Sequence, residues 1–94
     1  MAQQASLHAI VHGRVQGVYF RAYVTEQASR LNLTGFVANL PGGRKVEVLA
    51  EGEKAMLEKL AEALKSGPPD ARVVRVEANW GEFTGSYRDF ITRY

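Results

Sequence analysis

There is no cysteine in these 94 residues, which excludes a disulfide framework, a thiolate metal site and a cysteine nucleophile. The missing thiols suit a reducing compartment. No run approaches the roughly 20 apolar residues that a spanning helix needs, and the polar opening Met1–Ser6 lacks the apolar core of a signal peptide. A cytoplasmic protein with no membrane partner is therefore expected. Concentrated charge is missing too. No basic block is longer than Arg44-Lys45, and 12 Lys and Arg are scattered among 10 acidic residues, for a formal net charge of +2. Proteins that grip nucleic acid gather positive charge on one face, so no nucleic-acid partner is expected, although dispersed arginines can converge in a fold. No carboxylate cluster has metal-ligand spacing. His8 and His12, four apart along a strand, lie about 13 Å apart and cannot share an ion. The sequence thus calls for no metal and no cofactor.

What is present is enough for one compact domain. The hydrophobic share of 46% and charged share of 23% are ordinary for a globular chain. Residues 7–94 read as that single domain and residues 1–6 as a disordered or loosely held N-terminus. Leu7, Ala9 and Val11 alternate with His8, Ile10 and His12, which predicts a strand. Phe20, Tyr23, Val24, Gln27, Ala28 and Leu31 recur at helical spacing and predict a helix over 20–31, closed by Asn32. Strands are expected at 34–40 and 45–50 around the turn Pro41-Gly42-Gly43-Arg44, forming an antiparallel hairpin. A second helix over 53–65 carries the stripe Met56, Leu57, Leu60 and Leu64 and ends at Gly67-Pro68-Pro69-Asp70. A strand at 73–79, a polar loop over 81–88 and a short strand at 90–94 complete the chain. The order βαββαβ plus a C-terminal strand predicts an α+β, ferredoxin-like split βαβ sandwich, an antiparallel sheet with both helices on one face. That fold hosts enzymes, ligand domains and RNA binders alike, so function must come from a site.

The site signal is the run Gly13-Arg14-Val15-Gln16-Gly17-Val18-Tyr19-Phe20-Arg21. It joins the first strand to the first helix through a short glycine-containing turn. Amides in such a turn, with the unpaired donors and positive dipole end of the helix, form a cradle for a phosphate-sized anion. The run is neither a P-loop nor a dinucleotide fingerprint. On local grounds the glycines serve equally to bend the backbone. Arg21 in the first helical turn is either a surface arginine at the wrong end of the dipole or the planar fork that grips the anion. Asn39, on the same strand side as Val37, locally reads as the start of the hairpin turn, and its distance from the first strand stays open. His12 precedes the anion turn and reads as a half-exposed strand histidine before it reads as a base. Tyr19 and Phe20 read as turn and packing residues, and Tyr87, Phe90 and Tyr94 as core beneath the last strand.

These elements together resemble the acylphosphatases, small enzymes that hydrolyse carboxyl-phosphate anhydrides. The resemblance is carried by the 13–21 run, by Leu33-Thr34-Gly35-Phe36-Val37-Ala38-Asn39, by Val46-Glu47-Val48 with Glu51-Gly52, and by Gly67-Pro68-Pro69-Asp70-Ala71-Arg72-Val73. It implies that Val15, Gln16, Gly17, Val18, Tyr19 and Phe20 wrap a substrate phosphate with their amides. It further implies that Arg21 binds that phosphate and that Asn39 orients the attacking water. The partner is then a small-molecule acyl phosphate, inorganic phosphate is product and competitive inhibitor, and the enzyme acts as a monomer. Two departures stand out: the 40–45 hairpin is one residue longer than the family's usual Asp-Gly form, and 81–88 is an irregular lead-in to the last strand. The rival is a noncatalytic ferredoxin-like module that binds an anion or a protein.

Overall fold

The structure, a computed structural model, describes residues 3–94. Its elements are β1 (Gln4–Arg14), α1 (Phe20–Arg30), β2 (Thr34–Asn39), β3 (Lys45–Glu53), α2 (Lys54–Ser66), β4 (Arg72–Gly81) and β5 (Phe90–Arg93). The strands form one sheet in the order β4-β1-β3-β2-β5, the expected ferredoxin-like sandwich with an added edge strand. Pairing is antiparallel except between β2 and β5. The sheet is mostly antiparallel, as expected, and β5 runs parallel to its neighbour for a topological reason. β4 finishes at the end of the sheet where β2 begins, so a loop that crosses the sheet at that end starts β5 in the direction of β2.

The period-two pattern of β1 is realised in its burial. Ala5, Leu7, Ala9 and Val11 face the helices and are buried, with Val46, Val48 and Ala50 of β3 beside them. α1 contributes Phe20, Val24 and Ala28, and α2 contributes Leu57, Leu60 and Leu64. Tyr23, Leu31 and Met56, at the margins of the helical stripes, pack half-buried against this cluster. Each fully buried leucine stabilises the fold by about 1.5–3 kcal/mol, so the two helices are fastened chiefly by these apolar contacts. Asn32 stops α1 as expected. It adopts φ 58°, and the Leu33 N–H donates to the Ala28 carbonyl at 2.9 Å, a Schellman closure.

The N-terminal boundary differs from expectation. β1 begins at Gln4 because Gln4, Ala5 and Ser6 pair with Glu53, Gly52 and Glu51, and the Lys54 N–H donates to the Gln3 carbonyl at 2.8 Å. Residues 4–6 are strand rather than loose chain; residues 1–2 of that expectation lie outside the described residues. The long 40–45 hairpin keeps its register. Asn39 pairs with Val46, and the Leu40 N–H donates to the Lys45 carbonyl at 3.0 Å. Among the described residues no helix is long and apolar enough to cross a membrane.

Candidate active site

The turn between β1 and α1 is pinned from below and open above. The side chains of Val15 and Val18 enter the core, which fixes the turn at two points. Between them Gly17 takes φ 71°, and a Cβ there would meet nothing within 4 Å. Only the left-handed backbone, not crowding, asks for glycine at this position. The Gln16 side-chain amide donates to the carbonyls of Leu40 at 2.8 Å and Lys45 at 2.9 Å. It thereby ties the turn to the neck of the β2–β3 hairpin, which leaves Gln16 only its backbone N–H to offer an anion. Gly13, where the β1–β4 register shifts, lets the two backbones close up: a Cβ there would lie 2.1 Å from the Arg72 carbonyl oxygen.

Tyr19 caps α1 with φ 61°, without a side-chain hydrogen bond, and the first helical turn contains no acidic residue. Among the described residues no backbone N–H from 15 to 20 donates to another protein group. These donors and the dipole end of α1 together present a concentrated positive potential without any protein anion to offset it.

The same turn borders a cavity of about 370 Å³ whose lining includes Val15, Gly17, Tyr19, Phe20, Arg21 and Asn39. Arg21 is held over it by two contacts. Its Nη1 donates to the Arg93 carbonyl at 3.1 Å, and its guanidinium carbon lies 4.6 Å from the centre of the Tyr94 ring, a cation–π distance. Below it, the hydroxyls of Thr25 and Thr92 are 3.0 Å apart, joining α1 to β5. The distance left open for Asn39 is thus closed by the route of the turn. It leaves β1, reaches over the start of β3 through Gln16, and brings the amides to the end of β2, where Asn39 stands on the side of Val37. Arg21 and Asn39 border one cavity together with Val15, Gly17, Tyr19 and Phe20 of the turn.

The histidines are elsewhere. His8 Nε2 lies 2.8 Å from Glu47 Oε2, and His12 Nε2 lies 3.2 Å from Glu77 Oε1, all on the sheet face away from the helices. Arg75, hydrogen-bonded to Glu77, holds that carboxyl below its usual pKa against the opposing effect of burial, and the nearby His12 adds to the lowering. The aromatic expectations divide. Phe90 is buried, and Phe20 packs with its ring centre 6.1 Å from that of Tyr23. Tyr87 instead leans on Phe36 across the open sheet face. Tyr94 is fully exposed and borders the cavity, because it follows the last residue of the edge strand β5 and projects past the sheet. Sequence reasoning missed Tyr94 and the Arg93 carbonyl as supports for Arg21. No local pattern marks them, since the contact spans 72 residues and requires the parallel β2–β5 pairing.

Residues 7–92 match the sequence model of the acylphosphatase family. The chain is 49% identical over 88 residues to an acylphosphatase of Dehalococcoides mccartyi, covering 94% of this chain and 97% of that one. The crystal structure of acylphosphatase from Bacillus subtilis superposes with a TM-score of 0.91 at 36% identity, covering 96% and 99% of the two chains. Full-length HypF, in a phosphate- and nucleotide-bound form, contains a region similar to the entire chain, with a TM-score of 0.88 and 28% identity, over 12% of its own length. Near-complete coverage and a shared fold leave one family, and this chain belongs to the acylphosphatases, enzymes that hydrolyse acyl phosphates.

Proposed function

We propose that this enzyme works by in-line attack of a water oriented by Asn39 on a phosphoryl group held by Arg21 and the amides of Val15, Gln16, Gly17, Val18, Tyr19 and Phe20. The observation that carries this reading is the shared cavity, which unites open backbone donors, a guanidinium without a carboxylate partner among the described residues and an asparagine amide. An acyl phosphate is a mixed anhydride with a carboxylate leaving group, so the chemistry needs little acid assistance. Positioning and charge stabilisation carry most of the catalysis. The water oxygen bonds to phosphorus, the bond from phosphorus to the acyl oxygen breaks, and its electron pair leaves on the carboxylate. The proton released by the water goes to a phosphate oxygen of the substrate itself. The Asn39 side chain suits the water because it offers an acceptor and a donor on one planar group.

The proposal includes a monomeric, cytoplasmic enzyme inhibited competitively by its product, inorganic phosphate. It is tested by hydrolysis of an aromatic acyl phosphate with chelator present. Arg21→Ala is expected to lower kcat/KM by about 100-fold or more. Asn39→Ala should lower kcat while inhibition by phosphate persists. His12→Ala should keep most activity, because its imidazole faces Glu77 and not the cavity; a collapse of kcat in that variant would remove the substrate-as-base step. A folded chain that binds phosphate without turnover would support the binding-module reading instead.

A further inference from the structure

We propose that Arg14 and Arg72 form a second anion site, next in the chain to the phosphate turn, one that takes an oxyanion of the phosphate or carboxylate class. The two residues are direct register partners at the end of β1 and the start of β4, so their side chains leave the same sheet face with Cβ atoms about 5 Å apart. Like charges placed directly opposite each other across strands are destabilising. The preceding partners on this face, His12 and Arg75, are relieved by Glu77. Neither Arg14 nor Arg72 has a carboxylate within ion-pair reach among the described residues.

Both arginines border a predominantly polar cavity of about 420 Å³, completed by Pro69, Asp70 and Ala71. Its far wall is a stiff turn, in which Pro68 is buried and the Ala71 N–H donates to the Pro68 carbonyl at 3.0 Å. A preorganised wall lowers the ordering cost of binding. The Asp70 carboxylate shares the rim without pairing to either guanidinium, and it disfavours an anion on its own side of the cavity. Two planar guanidinium forks converging on one space match a tetrahedral or planar oxyanion. Arg14 is followed directly by Val15, the first residue of the phosphate turn, so one stretch of backbone connects the two cavities, which share no lining residue. The occupant is either free phosphate or the distal anionic group of an acyl phosphate.

Phosphate titration by calorimetry, which reads binding without turnover, tests the site independently of the catalytic proposal. Wild type is expected to take two phosphates per chain. Arg14→Gln/Arg72→Gln should take one, with the second weakened at least tenfold. Its unchanged kcat on a neutral aromatic acyl phosphate verifies folding, and the single variant Arg14→Gln serves if the double variant does not fold. A second arm, which rests on the proposed function, compares acyl phosphates with and without a distal carboxylate. If the substrate supplies the anion, wild type takes a single phosphate tightly and the double variant raises KM about tenfold for the carboxylated substrate alone. One phosphate per wild-type chain together with an unchanged KM ratio would overturn the site. So would the same losses in Arg44→Gln, which removes a nearby charge outside the cavity and would indicate a diffuse field.

Discussion

Two turns of this chain gather hydrogen-bond donors for an oxyanion, at opposite ends of the sheet, and they differ in what occupies them. In loop 82–89 the occupant is the protein's own carboxylate. Glu51 is buried at 1% exposure and accepts from the Thr84 N–H at 3.1 Å, the Gly85 N–H at 3.0 Å and the Thr84 hydroxyl at 2.8 Å. In the turn at 15–20 no side chain among the described residues accepts from the cradle, and an arginine stands at its rim. The donors are chemically alike. A cradle satisfied from within becomes a fastening that holds an irregular loop on the sheet; a cradle left open is a place for a ligand charge. The difference also explains why each tolerates its cost. The buried Glu51 is compensated by three donors, whereas the 15–20 amides have no protein acceptor among the described residues and in the proposed function are satisfied by the phosphate.

Arg21 is the sharpest way to break the open cradle. Arg21→Lys keeps the charge but loses the planar fork, its contact with the Arg93 carbonyl and its stacking on Tyr94. We expect kcat/KM to fall at least 30-fold, corresponding to about 2 kcal/mol or more of lost charge-assisted bonding. Nearly full kcat/KM in Arg21→Lys would show that point charge suffices and that fork geometry is irrelevant. The closed cradle has a matching test of similar size in stability. Glu51→Gln sets an NH2 group against N–H donors in a buried site, and we expect unfolding in urea to show a loss of about 2–3 kcal/mol. Phosphate inhibition should stay as in wild type. A fall in phosphate affinity alongside the stability loss would mean the two cradles are coupled through the sheet.

The sequence displayed these two cradles unequally. The open one was legible because its parts are contiguous: Gly17, the start of α1 and Arg21 lie within five positions, and local physics joins them. The closed one was not. Glu51-Gly52 shows only that the hairpin strand could end there, and Thr84 lies 33 residues away in a loop whose path no periodicity dictates. The core was readable for the same reason as the open cradle, since alternation in β1 and the helical stripes in α1 and α2 are local signals. Asn39 lay between these cases. Its strand was legible, but its approach to Arg21 depends on Gln16 reaching Leu40 and Lys45. Tyr94 was misread as core because an aromatic in a short apolar strand ordinarily packs inward, and the parallel edge position of β5 reverses that expectation.

A smaller effect distinguishes shape from charge in the open cradle. Gly17 has space for a Cβ but stands at φ 71°, so Gly17→Ala adds strain of about 1–2 kcal/mol in a left-handed conformation. If the backbone keeps its path, stability falls by that amount and phosphate inhibition is nearly unchanged. If the turn relaxes instead, the amides at 16–18 rotate and inhibition weakens at wild-type stability. Phosphate inhibition constants and urea midpoints measured on the same preparation separate the two outcomes.

The smallest effect expected is at Tyr94, and it measures how much of the readiness of Arg21 comes from the end of the chain. The ring is fully exposed, and an exposed cation–π contact is worth about 0.5–1 kcal/mol. Tyr94→Ala should therefore lower kcat/KM by only about two- to fivefold, while Tyr94→Phe, which retains a ring face for the guanidinium, should remain near wild type. The Arg93 carbonyl still accepts from Arg21 in both variants, because that bond is to backbone. A loss well beyond tenfold in Tyr94→Ala, restored by Tyr94→Phe, would make the stacked ring the main support of Arg21 and the carbonyl a minor one. Equal activity in all three proteins would assign the orientation of Arg21 to the backbone of β5, whose parallel pairing with β2 then counts as part of the site.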